Sequence, residues 1–346
     1  MTEQAFISVL GGGSFGTAIA NIAAENGNRV RQWMRDPERA AEVNQLHENT
    51  RYMPGYSLHE NLIASTEIKE ISDAEIIFFS IPSKSFPQVV DQVRPYISKH
   101  QMLVSTTKGI QGDGFRLMSQ VLADAFPDNP IGVISGPNLA KEIGQHQLTA
   151  TVIASASNQV RTRLQEVLGC RYFRVYANSD VFGVELGGAL KNIYAIASGM
   201  AASLGMGENT KAMLITRSLA EMSRFAEALG ANPYTFLGLA GVGDLIVTCT
   251  SSLSRNYRVG YAVAKGEAIE EAVDDLGEVA EGINTLKIVK DKAEEMGIYM
   301  PLVSGLHGLL YEKKELSEVI DELMLAEQST DVDFVLSREE HLKHHE

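Results

Sequence analysis

Residues 5–27, AFISVLGGGSFGTAIANIAAENG, decide the fold. The first six are an apolar run of strand length, a glycine-rich turn follows, and TAIANIAAENG then has the make-up of a helix. Gly11, Gly13 and Gly16 fit the spacing G-x-G-x-x-G, whose glycines allow a tight turn, close approach of backbone to a pyrophosphate, and packing of helix on strand. The helix N-terminus then offers free N–H groups to the anion. Glycines alone are also what an ordinary turn contains. Here a strand precedes them, a helix follows, and a second strand over residues 29–34 ends where a ribose would lie.

That second strand runs into WMRDP, which bears on the choice of dinucleotide. Arg35 lies 19 positions after Gly16 and Asp36 lies 20 after it. An acidic residue there accepts from a ribose 2′-hydroxyl and favours NAD, whereas an arginine pairs with the 2′-phosphate of NADP. Asp36 directly precedes Pro37 and has a structural use as the N-cap of a helix starting there. NADP through Arg35 is therefore the expected preference, with NAD as the alternative.

Apolar runs at residues 75–81, 102–106, 131–135 and 149–154, with helix-length segments at 85–97 and 115–126, continue the alternation. This pattern predicts an α/β fold, a Rossmann-type doubly wound and mainly parallel sheet with ligands at the carboxyl ends of its strands. Three strand ends carry chemistry: Ile81-Pro82-Ser83, Thr107-Lys108-Gly109 and Ser135-Gly136-Pro137-Asn138. Each is also ordinary turn composition; together they fall where the cleft belongs, and Lys108 gives it a positive charge.

After residues 172–175 the character changes. Helical patterns run over 182–204, 211–229, 255–265, 278–296 and 302–311, with no further strand alternation. The expected organisation is a dinucleotide-binding domain over 1–183, an all-helical substrate-binding and catalytic domain over 184–335, and a frayed tail over 336–346 whose HLKHHE could bind metal only adventitiously. Without a proline, glycine or low-complexity linker, the halves should share a packed interface.

Between Phe182 and Met206 the only charged residues are Glu185 and Lys191. At helical spacing Lys191 has Gly187, Gly188, Tyr194 and Ala195 as neighbours, small residues for the most part, which leave room for a ligand. A desolvated ammonium suits proton transfer near neutral pH; a structural lysine would send its tip to water along its own stem. Downstream, Asp244 stands in glycine-rich, apolar GLAGVGDLIVTC, and Ser254, Arg255, Asn256 and Arg258 open a helix, a composition suited to binding an anion. Asp244 also reads as a turn residue, Arg255 as a solvated cation, and Glu281 as a first-turn glutamate serving the helix dipole.

The net charge of -14 argues against a nucleic-acid partner. Two cysteines, Cys170 and Cys249, with neither CxxC nor metal spacing, point to reduced thiols in a cytoplasmic protein. No signal peptide is expected, and the apolar run over 192–206 is too short for a membrane span.

GGGSFGT, FFSIPS, STTKGI, ISGPNLAKEI, FGVELGGALKNIYAI, NTKAMLITRSLAEM, GLAGVGDLIVTCTSSLSRN and VAEGINT occur in this order along nearly the whole chain. In them the sequence resembles the bacterial NAD(P)-dependent sn-glycerol-3-phosphate dehydrogenases. The resemblance implies a Rossmann domain followed by a helical one, a homodimer, and interconversion of dihydroxyacetone phosphate and sn-glycerol 3-phosphate for phospholipid synthesis. It makes Lys191 the catalytic proton donor and acceptor. Lys108, Gly136, Asn138, Asp244, Ser254, Arg255 and Asn256 match substrate contacts, and Ser14, Phe15, Arg35, Lys108, Ala140, Arg255, Val279 and Glu281 match cofactor contacts. Asn138 stands where the family commonly has Thr or Ser, and Phe15 where it has Tyr or Trp.

These expectations combine into a mechanism. Hydride addition at the C2 carbonyl leaves charge on oxygen that Lys191 would neutralise, while Arg255 and the amides beside Asn256 hold the phosphate. Asp244 would orient Lys191 or a substrate hydroxyl, and its charge opposes the effect of burial on the lysine. The reaction should lie between the two halves, with Gly187 and Gly188 leaving space for substrate or nicotinamide. A hydroxyacid or keto-lactone dehydrogenase would share the plan but need a carboxylate site; a non-catalytic dinucleotide sensor would need the glycine loop alone.

Overall fold

The computed structural model describes residues 4–112, 114–276 and 279–325. The tail expected to fray, residues 336–346, and Glu278, expected to open a helix, lie outside the described residues.

The chain begins with β1 (Phe6–Leu10), α1 (Ser14–Glu25), β2 (Arg29–Trp33), α2 (Pro37–Leu46), β3 (Leu62–Ser65), β4 (Ile76–Phe79), α3 (Phe86–Val93) and β5 (Met102–Ser105). A small antiparallel hairpin follows, β6 (Ile110–Gln111) with β7 (Arg116–Leu117), leading into α4 (Met118–Ala125). Then come β8 (Ile131–Ser135), α5 (Ala140–Gly144), β9 (Thr149–Ala154), α6 (Asn158–Leu168) and β10 (Phe173–Asn178). Eight strands form one sheet in the order β10-β9-β8-β5-β4-β1-β2-β3, parallel throughout except between β8 and β9.

Both faces of this sheet are covered, as the unbroken apolar runs require. On β4, Ile76 and Phe78 join the core cluster that contains Ile19 and Ile22 of α1, while Ile77 and Phe79 join the cluster that contains Phe86 and Val90 of α3. The order 3-2-1-4-5 reverses direction between β1 and β4, so the turns after those two strands flank the crevice.

The helical half follows: α7 (Val181–Ser203), α8 (Glu208–Ala228), α9 (Asp244–Thr250), α10 (Arg255–Val263), α11 (Ile269–Asp274), α12 (Glu281–Met296), α13 (Pro301–Tyr311) and α14 (Leu316–Met324). Helix α7 starts where Asp180 accepts a hydrogen bond from Gly183 N (2.9 Å), and most of its residues are buried on every side. Such a helix belongs in an interior, and α8, α9, α10 and α12 pack around it. A Cβ on Gly199 would lie 2.0 Å from Tyr257 O, and one on Gly260 1.9 Å from Ile196 O. The backbones of α7 and α10 therefore touch, which brings the start of α10 beside Asn192.

Several elements differ from their expected spans. The helix expected over 115–126 starts only at Met118, because Arg116 and Leu117 pair with β6. That over 85–97 ends at Val93, with a 3-10 turn (Arg94–Tyr96) where Pro95 cannot continue the ladder. Strand β3 and helices α6, α9, α11 and α14 were not foreseen. No described helix is long and apolar enough to cross a membrane.

Candidate active site

The glycine loop is built as its spacing requires. Gly11 has φ +122°, and a Cβ there would lie 2.2 Å from Ser80 O at the end of β4. A Cβ on Gly16 would meet Gly11 O at 2.6 Å. Gly13 differs, since a Cβ on it would meet nothing within 4 Å. The protein's own packing accounts for Gly11 and Gly16; the bare backbone of Gly13 leaves an open approach at the N-terminus of α1, which has no side-chain cap. These residues fit a dinucleotide pyrophosphate. Gln32 Nε2 holds Gly11 O (2.9 Å) and Asn49 Nδ2 holds Gly12 O (2.9 Å), so the turn is fixed from beneath.

At the end of β2, Asp36 is the N-cap of α2, accepting from Glu38 N (3.1 Å) and Arg39 N (3.4 Å), and Arg39 Nε donates to it at 3.0 Å. Its carboxylate is thus engaged within the protein, as its position before Pro37 led one to expect. Arg35 beside it is exposed.

The chemical centre is a fully buried carboxylate between two lysines. Asp244 is 0% exposed, in the first turn of α9, after a π-helical turn over Leu239–Gly243. Its Oδ1 accepts from Lys191 Nζ, and its Oδ2 accepts from Lys108 Nζ at 2.8 Å. Lys191 also donates to Thr248 Oγ1 (2.7 Å), whose hydroxyl donates to Asp244 O (2.6 Å). Lys108 also donates to Gly136 O at 2.8 Å. Burial pulls the Lys191 ammonium down from 10.5 to about 7; Asp244 opposes this and Lys108 reinforces it. Desolvation is the largest of these effects, and the second ammonium on the same carboxylate adds to it. Beside them the Ser135 hydroxyl and Asn138 Oδ1 are buried with no partner among the described residues, and Asn138 Nδ2 donates to Thr151 Oγ1 (2.9 Å). Unpaired buried polar atoms next to a charged centre are what a polar ligand would satisfy.

A second network leads to the anion end. Asn192 Nδ2 donates to Lys108 O (3.1 Å), Asn256 Nδ2 to Asn192 Oδ1 (2.9 Å), and Gly282 N to Asn256 Oδ1 (3.0 Å). Ser254 caps α10 by accepting from Tyr257 N (3.3 Å), and Arg255, exposed, is the first residue of that helix. The Glu281 carboxylate accepts from Ser83 N (2.9 Å) and Ser83 Oγ (2.6 Å), joining α12 to the turn after β4.

The structure thus brings together Lys108, Gly136, Lys191 and Asp244, with Asn138 nearby, and links Asn256 through Asn192. Among the described residues, Phe15, Arg35, Ala140 and Val279 lie outside this hydrogen-bonded group. Phe15 and Ala140 pack against the core beneath α1, Ser14 opens that helix, and Val279 is exposed. Asn192 and Thr248 escaped the sequence reading, being ordinary polar residues inside helices. The side chain of Asn256 is spent within the protein, so it has a backbone N–H left for an anion. The role expected for Gly187 and Gly188 is corrected: a Cβ on Gly187 would lie 2.8 Å from Ala240 O, and one on Gly188 2.4 Å from Ser135 Oγ. These glycines admit neighbouring segments of the chain.

Comparison with known proteins follows the same lines. A family model described as the NAD-dependent glycerol-3-phosphate dehydrogenase N-terminus matches residues 6–161, and one described as the C-terminus of that enzyme matches residues 180–321. The glycerol-3-phosphate dehydrogenase [NAD(P)+] of Ectopseudomonas mendocina is 59% identical over 97% of this chain and 98% of its own length. That of Teredinibacter turnerae is 58% identical over 96% and 98%. The crystal structure of glycerol-3-phosphate dehydrogenase from Coxiella burnetii superposes with a TM-score of 0.88 at 37% identity, covering 93% of this chain and 99% of that one.

Proposed function

The chain belongs to the NAD-dependent glycerol-3-phosphate dehydrogenase family, and from that premise we propose how its residues divide the work of the reaction. It is an oxidoreductase that interconverts dihydroxyacetone phosphate and sn-glycerol 3-phosphate with NAD(P), supplying glycerol 3-phosphate for phospholipid synthesis. When bound, the reduced dinucleotide supplies the hydride.

The observation that carries our assignment is the Lys191 ammonium, buried and held on Asp244 at a depressed pKa of about 7. In ketone reduction it donates its proton to the oxygen at C2; in the reverse direction the neutral amine takes that proton back. Asp244 and Thr248 fix its direction. Asp244, Lys108 and Lys191 together carry one net positive charge when both lysines are protonated, a local attraction for a phosphorylated substrate in a chain of charge -14. Arg255 and the first N–H groups of α10 take the phosphate. The Ser135 hydroxyl and Asn138 Oδ1 are available to the substrate's hydroxyl. The glycine loop and the N-terminus of α1 receive the pyrophosphate, and Arg35 favours the 2′-phosphate of NADP.

The family resemblance also supports a homodimer working in the cytoplasm. Light scattering at micromolar concentration tests the former: a monomer mass would overturn it. The central experiment assays dihydroxyacetone phosphate reduction with NADPH and NADH side by side, for the wild type and Lys191→Ala. A Lys191→Ala enzyme that keeps wild-type kcat at saturating substrate removes the lysine from proton transfer. Equal kcat/KM with the two dinucleotides removes the NADP preference.

A further inference from the structure

The outer end of β2 carries more positive charge than Arg35 alone. The Arg39 guanidinium lies 5.6 Å from the centroid of the Tyr52 ring, and the Arg51 guanidinium 5.2 Å from the same centroid. Tyr52 is tied to the glycine loop: its N–H donates to Asn49 Oδ1 (3.3 Å), and Asn49 Nδ2 donates to Gly12 O (2.9 Å) and Thr17 Oγ1 (2.8 Å). A residue that holds the pyrophosphate turn thereby also holds the tyrosine that both arginines approach. Asp36, the acid that would accept from a ribose 2′-hydroxyl, is engaged by the start of α2 and by Arg39 Nε.

We infer that Arg39 and Arg51, oriented by the ring of Tyr52, act with Arg35 as the site for the 2′-phosphate of NADP(H). This inference rests on the NADP preference proposed above. A guanidinium lying on an aromatic ring is held in a fixed plane and is weakly hydrated, while its N–H edges stay free for a phosphate. Arg39 spends one donor on Asp36 and keeps its terminal N–H groups. The same contact withholds the carboxylate from NAD, so one residue both favours the phosphate and disfavours its absence. Lysine at position 51 would carry the charge but neither the flat stacking surface nor the paired donors.

Calorimetric titration with 2′,5′-ADP and with 5′-AMP, in the absence of substrate, reads this site apart from catalysis. The wild type should bind 2′,5′-ADP about tenfold or more tighter than 5′-AMP, the size expected from charge-assisted bonds to one phosphate. Arg51→Ala should shrink that ratio about fivefold or more while leaving 5′-AMP affinity within about twofold, and Arg51→Lys should recover only part of it. Tyr52→Phe should keep the ratio and Tyr52→Ala should lose it; thermal melts identify a variant that has lost its fold, and Arg51→Ala then decides alone. An unchanged ratio in folded Arg51→Ala, or parallel loss of both ligands, overturns the inference while the NADP reading survives. A wild type indifferent to the 2′-phosphate overturns both.

Discussion

Lys108 and Lys191 approach from opposite halves of the chain and donate to the two oxygens of one fully buried carboxylate, Asp244. One lysine follows a strand of the sheet and the other lies in the central helix, so this carboxylate joins the parts that the reaction needs together.

Asp244→Asn would remove the anion and leave two ammonium groups facing each other. Coulomb repulsion then pushes the Lys191 pKa below about 7, so at neutral pH the acid is mostly absent. The expected loss in kcat for ketone reduction is about 10²- to 10³-fold, in the range of a general acid. Breaking a buried pair also costs stability, about 3–5 kcal/mol, so a melt accompanies the kinetics. A folded Asp244→Asn enzyme with wild-type kcat would show that Asp244 does not govern the lysine.

The pH dependence of turnover follows from the same group. Reduction needs Lys191 protonated, so kcat/KM for dihydroxyacetone phosphate should fall as pH rises through about 7. Oxidation of glycerol 3-phosphate needs the neutral amine, so its kcat/KM should rise through the same window. Profiles of the two directions measured in one buffer series should therefore cross. Two limbs of the same sign would place the titration on another group.

Two glycines separate cofactor binding from folding. Gly13→Ala meets nothing within 4 Å at its new Cβ, so Tm should stay within a few degrees while NADPH affinity falls about tenfold or more. Gly188→Ala would put a methyl 2.4 Å from Ser135 Oγ and 3.6 Å from Lys108 Cγ, so the buried Ser135 side chain must rotate away or α7 must shift against β8. Overpacking of this kind costs about 1–3 kcal/mol and should lower Tm visibly. The reverse pattern, a destabilised Gly13→Ala and a stable Gly188→Ala, would contradict both assignments.

The contrast between legible and illegible features has physical causes. Strands β1, β4, β5 and β8 and the end of β9 were readable because burial on both faces makes them apolar runs, whereas β2, RVRQW, was placed by its distance from the glycine turn, and the edge strand β10 buries alternate residues only at its start. Strand β3, LIAS, pairs with one neighbour and exposes Ile63, so its four residues carry little signal. The antiparallel turn from β8 to β9 depends on a connection holding only the five-residue α5, too short for a crossover helix. Helix α6, NQVRTRLQEVL, is mostly polar. Within the site, Lys191 and Asp244 stood out as charges among apolar neighbours. That they touch, and that Lys108 shares the contact, is tertiary information, as are the bonds of Asn192, Thr248 and Asn256.

Glu185, six residues before Lys191 on α7, offers a test of stability that is independent of catalysis. It is 2% exposed, and its carboxyl accepts from Ser119 N (3.0 Å) and from Ser119 Oγ, at the start of α4. Burial raises its pKa from 4.5 to about 7, outweighing the Ser119 bonds, which favour the charged form. Since the folded value lies above the unfolded one, the folded state binds more protons between pH 4.5 and about 7. The contribution of Glu185 is then fully present below pH 4.5 and lost as pH rises through about 7. At about 1.4 kcal/mol per pH unit the loss approaches roughly 3 kcal/mol. Glu221 is raised to about 7 as well, so the wild-type slope alone would mix the two. Urea unfolding of the wild type and Glu185→Gln at pH 5 and pH 8 isolates the first: the wild type should lose stability relative to the variant across that interval. A difference that stays constant would mean that Glu185 is already ionised in the folded protein at pH 5, with the Ser119 bonds outweighing burial.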